Sequence, residues 1–249
     1  MSDGNSEITA EAQADAYALP LETLNPAQAD LFAGNAIWPY FERLRAEDPV
    51  HFTADSDYGP YWSITRYNDI IAVDTNHQVF SSADGIALQS LEAKAEAEKR
   101  PRGSSFIAMD PPEHDVQRKA VSPVVAPSNL AAMAPLIRER AGAILDGLPI
   151  GEEFDWVDLV SKELTAMTLA TLFDFPQEDR RLLTHWSDMF TSMPGHGPAK
   201  SWEHKREQAD ECFGRFTELW NERVNAPPKF DLVSMMAHSE ATRNLNLRD

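Results

Sequence analysis

The run Met109-Asp110-Pro111-Pro112-Glu113-His114-Asp115-Val116-Gln117-Arg118 constrains the fold of this chain more than any other stretch. Two consecutive prolines each fix φ and remove a backbone donor, which suits the entry of a helix and little else. Asp110 as N-cap with Glu113 three residues on forms a capping box of the Asp-x-x-Glu kind, predicting a helix with Pro111 and Pro112 as its first residues. On that helix His114 and Arg118 are four apart, so their side chains project roughly 40° from each other. Two nitrogen donors on one face suit a carboxylate or phosphate, because charge-assisted hydrogen bonds outrank neutral ones. The same spacing also occurs on solvated helices that bind nothing.

Periodicity makes the rest mainly helical with one small sheet. Trp38 to Arg45 has apolar residues at Trp38, Phe41 and Leu44, the pattern of a surface helix. Pro49 to Phe52 and Tyr61 to Thr65 read as strands joined across Asp57-Tyr58-Gly59-Pro60. Asn68 caps a short helix, Asp69 to Thr75. Trp62, Ile64, Ile70, Ile71 and Val73 are expected in the core. Arg66 is expected to form a surface ion pair, and His51 and His77 have structural roles. Between Ser81 and Phe106 the pattern breaks, and the charged run Glu92 to Arg102 argues for a solvated segment. Helices then follow: one capped by Ser128 and ended by Gly147 and Pro149; Trp156 to Phe173, central and buried; Gln177 to Phe190; Trp202 to Val224; and Asp231 to His238. Met193 to Lys200 is a Gly/Pro link.

Composition removes several classes of function. Acidic residues number 40 against 22 basic, a net charge of −18, which disfavours nucleic acid and anionic membrane surfaces. One cysteine excludes an intramolecular disulfide and fits a reducing compartment. No signal peptide or membrane anchor is evident, and residues 1–30 are expected to be a disordered extension. The histidines show no zinc spacing. No Walker loop or Gly-x-Gly-x-x-Gly supports nucleotide binding.

The stretch FIAMDPPEHDVQRKAVSPVVAP resembles the helix that crosses the haem in the cytochrome P450 superfamily, and the likeness extends from about Trp38 to the end of the chain. It implies a mainly α fold with a small N-terminal β-sheet, residues 31–249 being an incomplete P450 domain that stops before the distal, oxygen-activating helix. It also implies haem b, with His114 and Arg118 bonding a propionate and Ile107 a pocket contact. The segment around Ile86, Leu88, Leu91 and Phe106, and a lid bearing Met189, Phe190 and Met193, would face substrate; the alternative is that these residues only pack. Lys119 would meet a ferredoxin, though an exposed lysine is usually just solvated.

The wording GPYWSITRYNDIIAVD and FDWVDLVSKELTAMTLATLFDFP looks most like the soluble bacterial alkane and fatty-acid terminal hydroxylases. That implies terminal hydroxylation in the cytoplasm with O2 and electrons from ferredoxin and ferredoxin reductase, FAD and an iron–sulfur cluster residing on those partners. The thiolate ligand of the iron is expected beyond Asp249, and no catalytic or metal-ligating residue is expected within this chain. Cys212-Phe213-Gly214 copies the end of the family's cysteine loop, but KREQADE before it lacks the Phe and Gly and reads as mid-helix. Two other classes stay open: a truncated, inactive P450-like binding protein, and an unrelated acidic helical bundle.

Overall fold

The structure is a computed structural model describing residues 15–99, 105–195 and 197–245, the Phe106 side chain excepted. The chain divides into two compact units, Met1–Pro101 with Ile107–Asp110, and Arg102–Phe106 with Pro111–Asp249.

The first unit includes the α-helices α1 (Ala29–Ala33), α2 (Trp38–Glu47), α3 (Tyr67–Asp74) and α4 (Leu91–Ala97), and the strands β1 (Val50–Thr53) and β2 (Tyr61–Ile64). The strands pair antiparallel with Val50 opposite Ile64 and Phe52 opposite Trp62. Both strands lie where alternation placed them. The core gathers Ala16, Leu24, Ile37, Tyr40 and Leu44. Arg43 on α2 donates to the carbonyls of Ala16 (2.6 Å) and Leu19 (2.7 Å). Buried His51 has Nδ1 2.8 Å from Asp48 Oδ2 and Nε2 2.8 Å from the Leu24 carbonyl, the structural role expected of it.

Three expectations for this unit need correction. Ala16 and Leu24 are fully buried, so residues 15–30 include part of the core rather than a disordered extension; residues 1–14 lie outside the described set. The signal was hidden because those apolar residues are few, and backbone carbonyls bonded by Arg43 and His51 tie the segment down. Trp62, Ile70 and Ile71 are exposed, at 61%, 43% and 41%. The sheet has two strands, and Phe52 and Trp62 cover each other at 4.8 Å between ring centroids. Arg66 is the N-cap residue of α3 in place of Asn68, and it donates to the Arg45 carbonyl (2.8 Å) at the end of α2.

The second unit contains α5 (Glu113–Val121), α6 (Pro127–Asp146), α7 (Glu163–Phe173), α8 (Arg180–Thr191), α9 (Trp202–Val224) and α10 (Leu232–His238). Its core packs Ala170, Phe175, Leu183, Trp186, Cys212, Leu219 and Val233. Phe175, Trp186 and Phe216 meet with centroids 5.7 to 6.4 Å apart. Burying Leu183 and Leu219 contributes about 2 kcal/mol each. Polar ties lock the helices in register. Arg140 on α6 donates to the Met167 carbonyl (2.8 Å) and Thr171 Oγ1 (2.7 Å) on α7. Glu163 accepts from Arg180 and Arg181, both Nε contacts at 2.7 Å.

The helix expected over Trp156 to Phe173 divides into a π-helical turn, Val157–Lys162, and α7. A π-turn inserts one residue and rotates what precedes it off the packed face. Trp156 and Val157 are accordingly half exposed, and only Ala166 and Ala170 of α7 are fully buried. The α6 helix starts at Pro127 with Ala126 as its cap residue in place of Ser128, two positions later in the chain. Among the described residues no single helix is long and apolar enough to cross a membrane.

Candidate functional site

The clamp helix α5 begins at Glu113, with Pro112 in the cap position and no side-chain cap. Pro111 and Pro112 form a turn before it instead of its first residues. The expected capping box is absent because Asp110 is engaged elsewhere. Its carboxylate accepts from the Ser81 hydroxyl and from the Ser82 N–H at 2.9 Å. The Ser81 and Ser82 hydrogen bonds, with His77 nearby, hold the Asp110 carboxyl below the usual carboxylate range. Glu113 and Asp115 in the first turn, and Arg118 and Lys119 in the last, still complement the helix dipole.

His114 and Arg118 stand one turn apart on α5, as their spacing predicts. The His114 side chain is 27% exposed, and its Nδ1 lies 2.8 Å from Asp115 Oδ1. That bond orients the ring. Arg118 is exposed, and its guanidinium has no hydrogen-bond or ion-pair partner among the described residues. Its carbonyl accepts from the Ser122 hydroxyl at 2.7 Å, closing the helix end. A forked cation with open donors beside a histidine, on a chain of net charge −18, is a fitting receptor for a carboxylate such as a haem propionate.

The other predicted residues distribute unevenly. Ile86, Leu88, Leu91 and Ile107, in the first unit, are 48% to 60% exposed. Leu91 donates its N–H to the Asp57 carbonyl (2.8 Å) and lies against Gly59. The Phe106 side chain lies outside the described residues. Met189 is fully buried and is corrected to a core residue: it follows Trp186 by three on the packed face of α8. Phe190 and Met193 are 42% and 36% exposed. Lys119 is exposed on α5.

Cys212 is 8% exposed in the middle of α9, and burial first, with Glu211 second, pushes its thiol up to about 11. A protonated thiol within a core is no iron ligand. Lys205 carries no signal in the sequence, being one charge among many on α9, yet it bonds the end of α8 through Phe190 and Ser192.

No protein-family profile matches the chain. Individual proteins do. Linalool 8-monooxygenase of Pseudomonas putida is 32% identical over 216 residues, covering 85% of this chain and 53% of the relative. Vitamin D(3) 25-hydroxylase of Pseudonocardia autotrophica is 28% identical over 89% of this chain. Among solved structures, CYP153D17 from a Sphingomonas species shares 41% identity at a TM-score of 0.76, covering 87% of this chain and 54% of that one. The cytochrome P450-153 of Novosphingobium aromaticivorans shares 35% identity at a TM-score of 0.77, covering 90% and 56%. The chain spans about half the length of the relatives it matches. On these identities and coverages the chain belongs to the cytochrome P450 superfamily and matches the N-terminal part of its fold.

Proposed function

We propose that this chain forms part of a haem-dependent monooxygenase that hydroxylates a medium-chain alkane or fatty acid at its terminal carbon. The observation that carries the reading is the exposed Arg118 guanidinium, without a partner among the described residues, one helical turn from His114. His114 and Arg118 would hold a propionate of haem b, with Ile107 a contact of the haem pocket. When bound, haem with a thiolate ligand supplies oxygen activation. Ile86, Leu88, Leu91, Phe190 and Met193 are the residues assigned to an aliphatic chain, being apolar and exposed. Lys119 would dock an acidic ferredoxin, which a ferredoxin reductase resupplies with electrons, in a bacterial cytoplasm. The domain is taken to include residues 15–30 as well as those from 31 onward.

The relatives named linalool 8-monooxygenase and vitamin D(3) 25-hydroxylase support hydroxylation in general. The aliphatic substrate class rests on the resemblance of GPYWSITRYNDIIAVD and FDWVDLVSKELTAMTLATLFDFP to bacterial alkane and fatty-acid terminal hydroxylases. The test is product analysis: haem-loaded protein, ferredoxin, reductase, NAD(P)H and O2 with a series of alkanes and fatty acids. Terminal alcohols are expected. Products hydroxylated only within the chain contradict the regiochemistry, and haem-loaded protein that forms no alcohol contradicts the enzymatic reading. A second reading rests on Cys212, whose burial leaves the described residues without an available thiolate. On that reading the chain by itself binds without catalysis.

A further inference from the structure

The end of α8 carries a group of contacts centred on Ser192, which is 9% exposed. Its N–H donates to the Asp188 carbonyl at 3.1 Å and its hydroxyl to the Met189 carbonyl at 3.1 Å. Its own carbonyl accepts from Lys205 Nζ at 2.7 Å, and the same ammonium donates to the Phe190 carbonyl at 2.8 Å. The Trp202 ring centroid lies 5.7 Å from Nζ. One cation in the first turns of α9 thus closes the C-terminal end of α8, where unpaired carbonyls concentrate negative potential. Gly197, at φ +110°, approaches the same serine: a Cβ built there would stand 3.0 Å from Ser192 Cβ. Phe190 and Met193, the two exposed apolar residues of this turn, flank the group. Burial lowers the Lys205 pKa, and the two carbonyls and the indole face offset that cost.

We infer that Lys205 is a positioning residue: by bonding the carbonyls of Phe190 and Ser192 it fixes where Phe190 and Met193 stand, and so sets the chain-length preference for an aliphatic ligand. The inference rests on the proposed monooxygenase reading. Lys205→Met keeps the aliphatic stem and removes the donors, whereas Lys205→Arg retains a cation. Gly197→Ala crowds the Ser192 side chain without touching the Lys205 donors.

The test combines two readouts on haem-loaded protein. Hydrogen exchange reads the amides of 190–193, and changes in haem absorption give dissociation constants for fatty acids of increasing length. Lys205→Met and Gly197→Ala are expected to raise exchange about tenfold and to flatten the chain-length preference, with haem content unchanged; Lys205→Arg should restore both. Unchanged exchange in Lys205→Met overturns the inference, as does faster exchange with an intact preference. Wild-type protein whose haem responds to no aliphatic ligand removes the functional reading and the positioning role with it. Intact haem content in the variants separates failure at Lys205 from failure at the clamp.

Discussion

Asp110 and Cys212 show how neighbours change an ordinary side chain. Asp110 accepts from Ser81 and Ser82, and its pKa is depressed. A depressed carboxylate stabilises the fold above its unfolded value, about 3.9, and loses that contribution as pH falls through the folded value. The Ser82 amide is therefore expected to stay protected from exchange from neutral pH down past about pH 4 and to open only as pH falls through the depressed Asp110 value; Asp110→Ala should abolish the protection at every pH. At Cys212 the raised pKa keeps the thiol protonated, so alkylation of the native protein at pH 8 should run roughly a hundredfold slower than after unfolding. Fast native labelling would contradict the buried placement. His114 and Arg118 were legible in the sequence because their relation is local, fixed by the helical repeat. Asp110 was not, since its partners lie 28 and 29 residues upstream and outcompete the adjacent helix end. Met189 was misassigned because the sequence places Met189 and Phe190 side by side without saying which faces the core.

At the scale of elements, the strands and most helices follow from alternation, periodicity and breakers. The Val157–Lys162 π-turn has no such signature, because it depends on how α7 meets its neighbours. The side-chain caps of α9 and α10 emerge only in the structure: Ser201 accepts from His204 N–H (3.1 Å) and Asp231 from Ser234 N–H (2.8 Å). A tie that only the structure reveals joins α9 to the end of α7. Arg223, with its side chain 11% exposed, donates to Asp174 Oδ2 at 2.7 Å and to the Asp174 carbonyl at 3.1 Å; buried Asp231 Oδ2 lies 3.9 Å from its Nε. Arg223→Met leaves Asp231 buried without its cation and is expected to cost about 2 kcal/mol, measured as a lower denaturation midpoint at unchanged m. An unchanged midpoint would show the network to be solvated.

For the whole molecule, each unit has its own core and each presents large apolar side chains to solvent. Trp38, Trp62, Tyr67 and Val79 are at least 60% exposed in the first, and Ile150 and Phe230 are 98% and 62% exposed in the second. The chain at low micromolar concentration is expected to bind a hydrophobic dye and self-associate through these side chains. A dye-silent monomer by sedimentation would contradict that. The acidic balance, by contrast, favours solubility and makes a cation without a partner among the described residues, such as Arg118, a place where an anion is drawn in.

The proposed anchoring of haem by His114 and Arg118 through a propionate is measured by the haem retained per chain after gel filtration. Wild type should retain haem; Arg118→Ala and His114→Ala should each weaken retention about tenfold, Arg118→Lys less so, with the fold intact by circular dichroism. Equal retention in all four proteins would contradict the account.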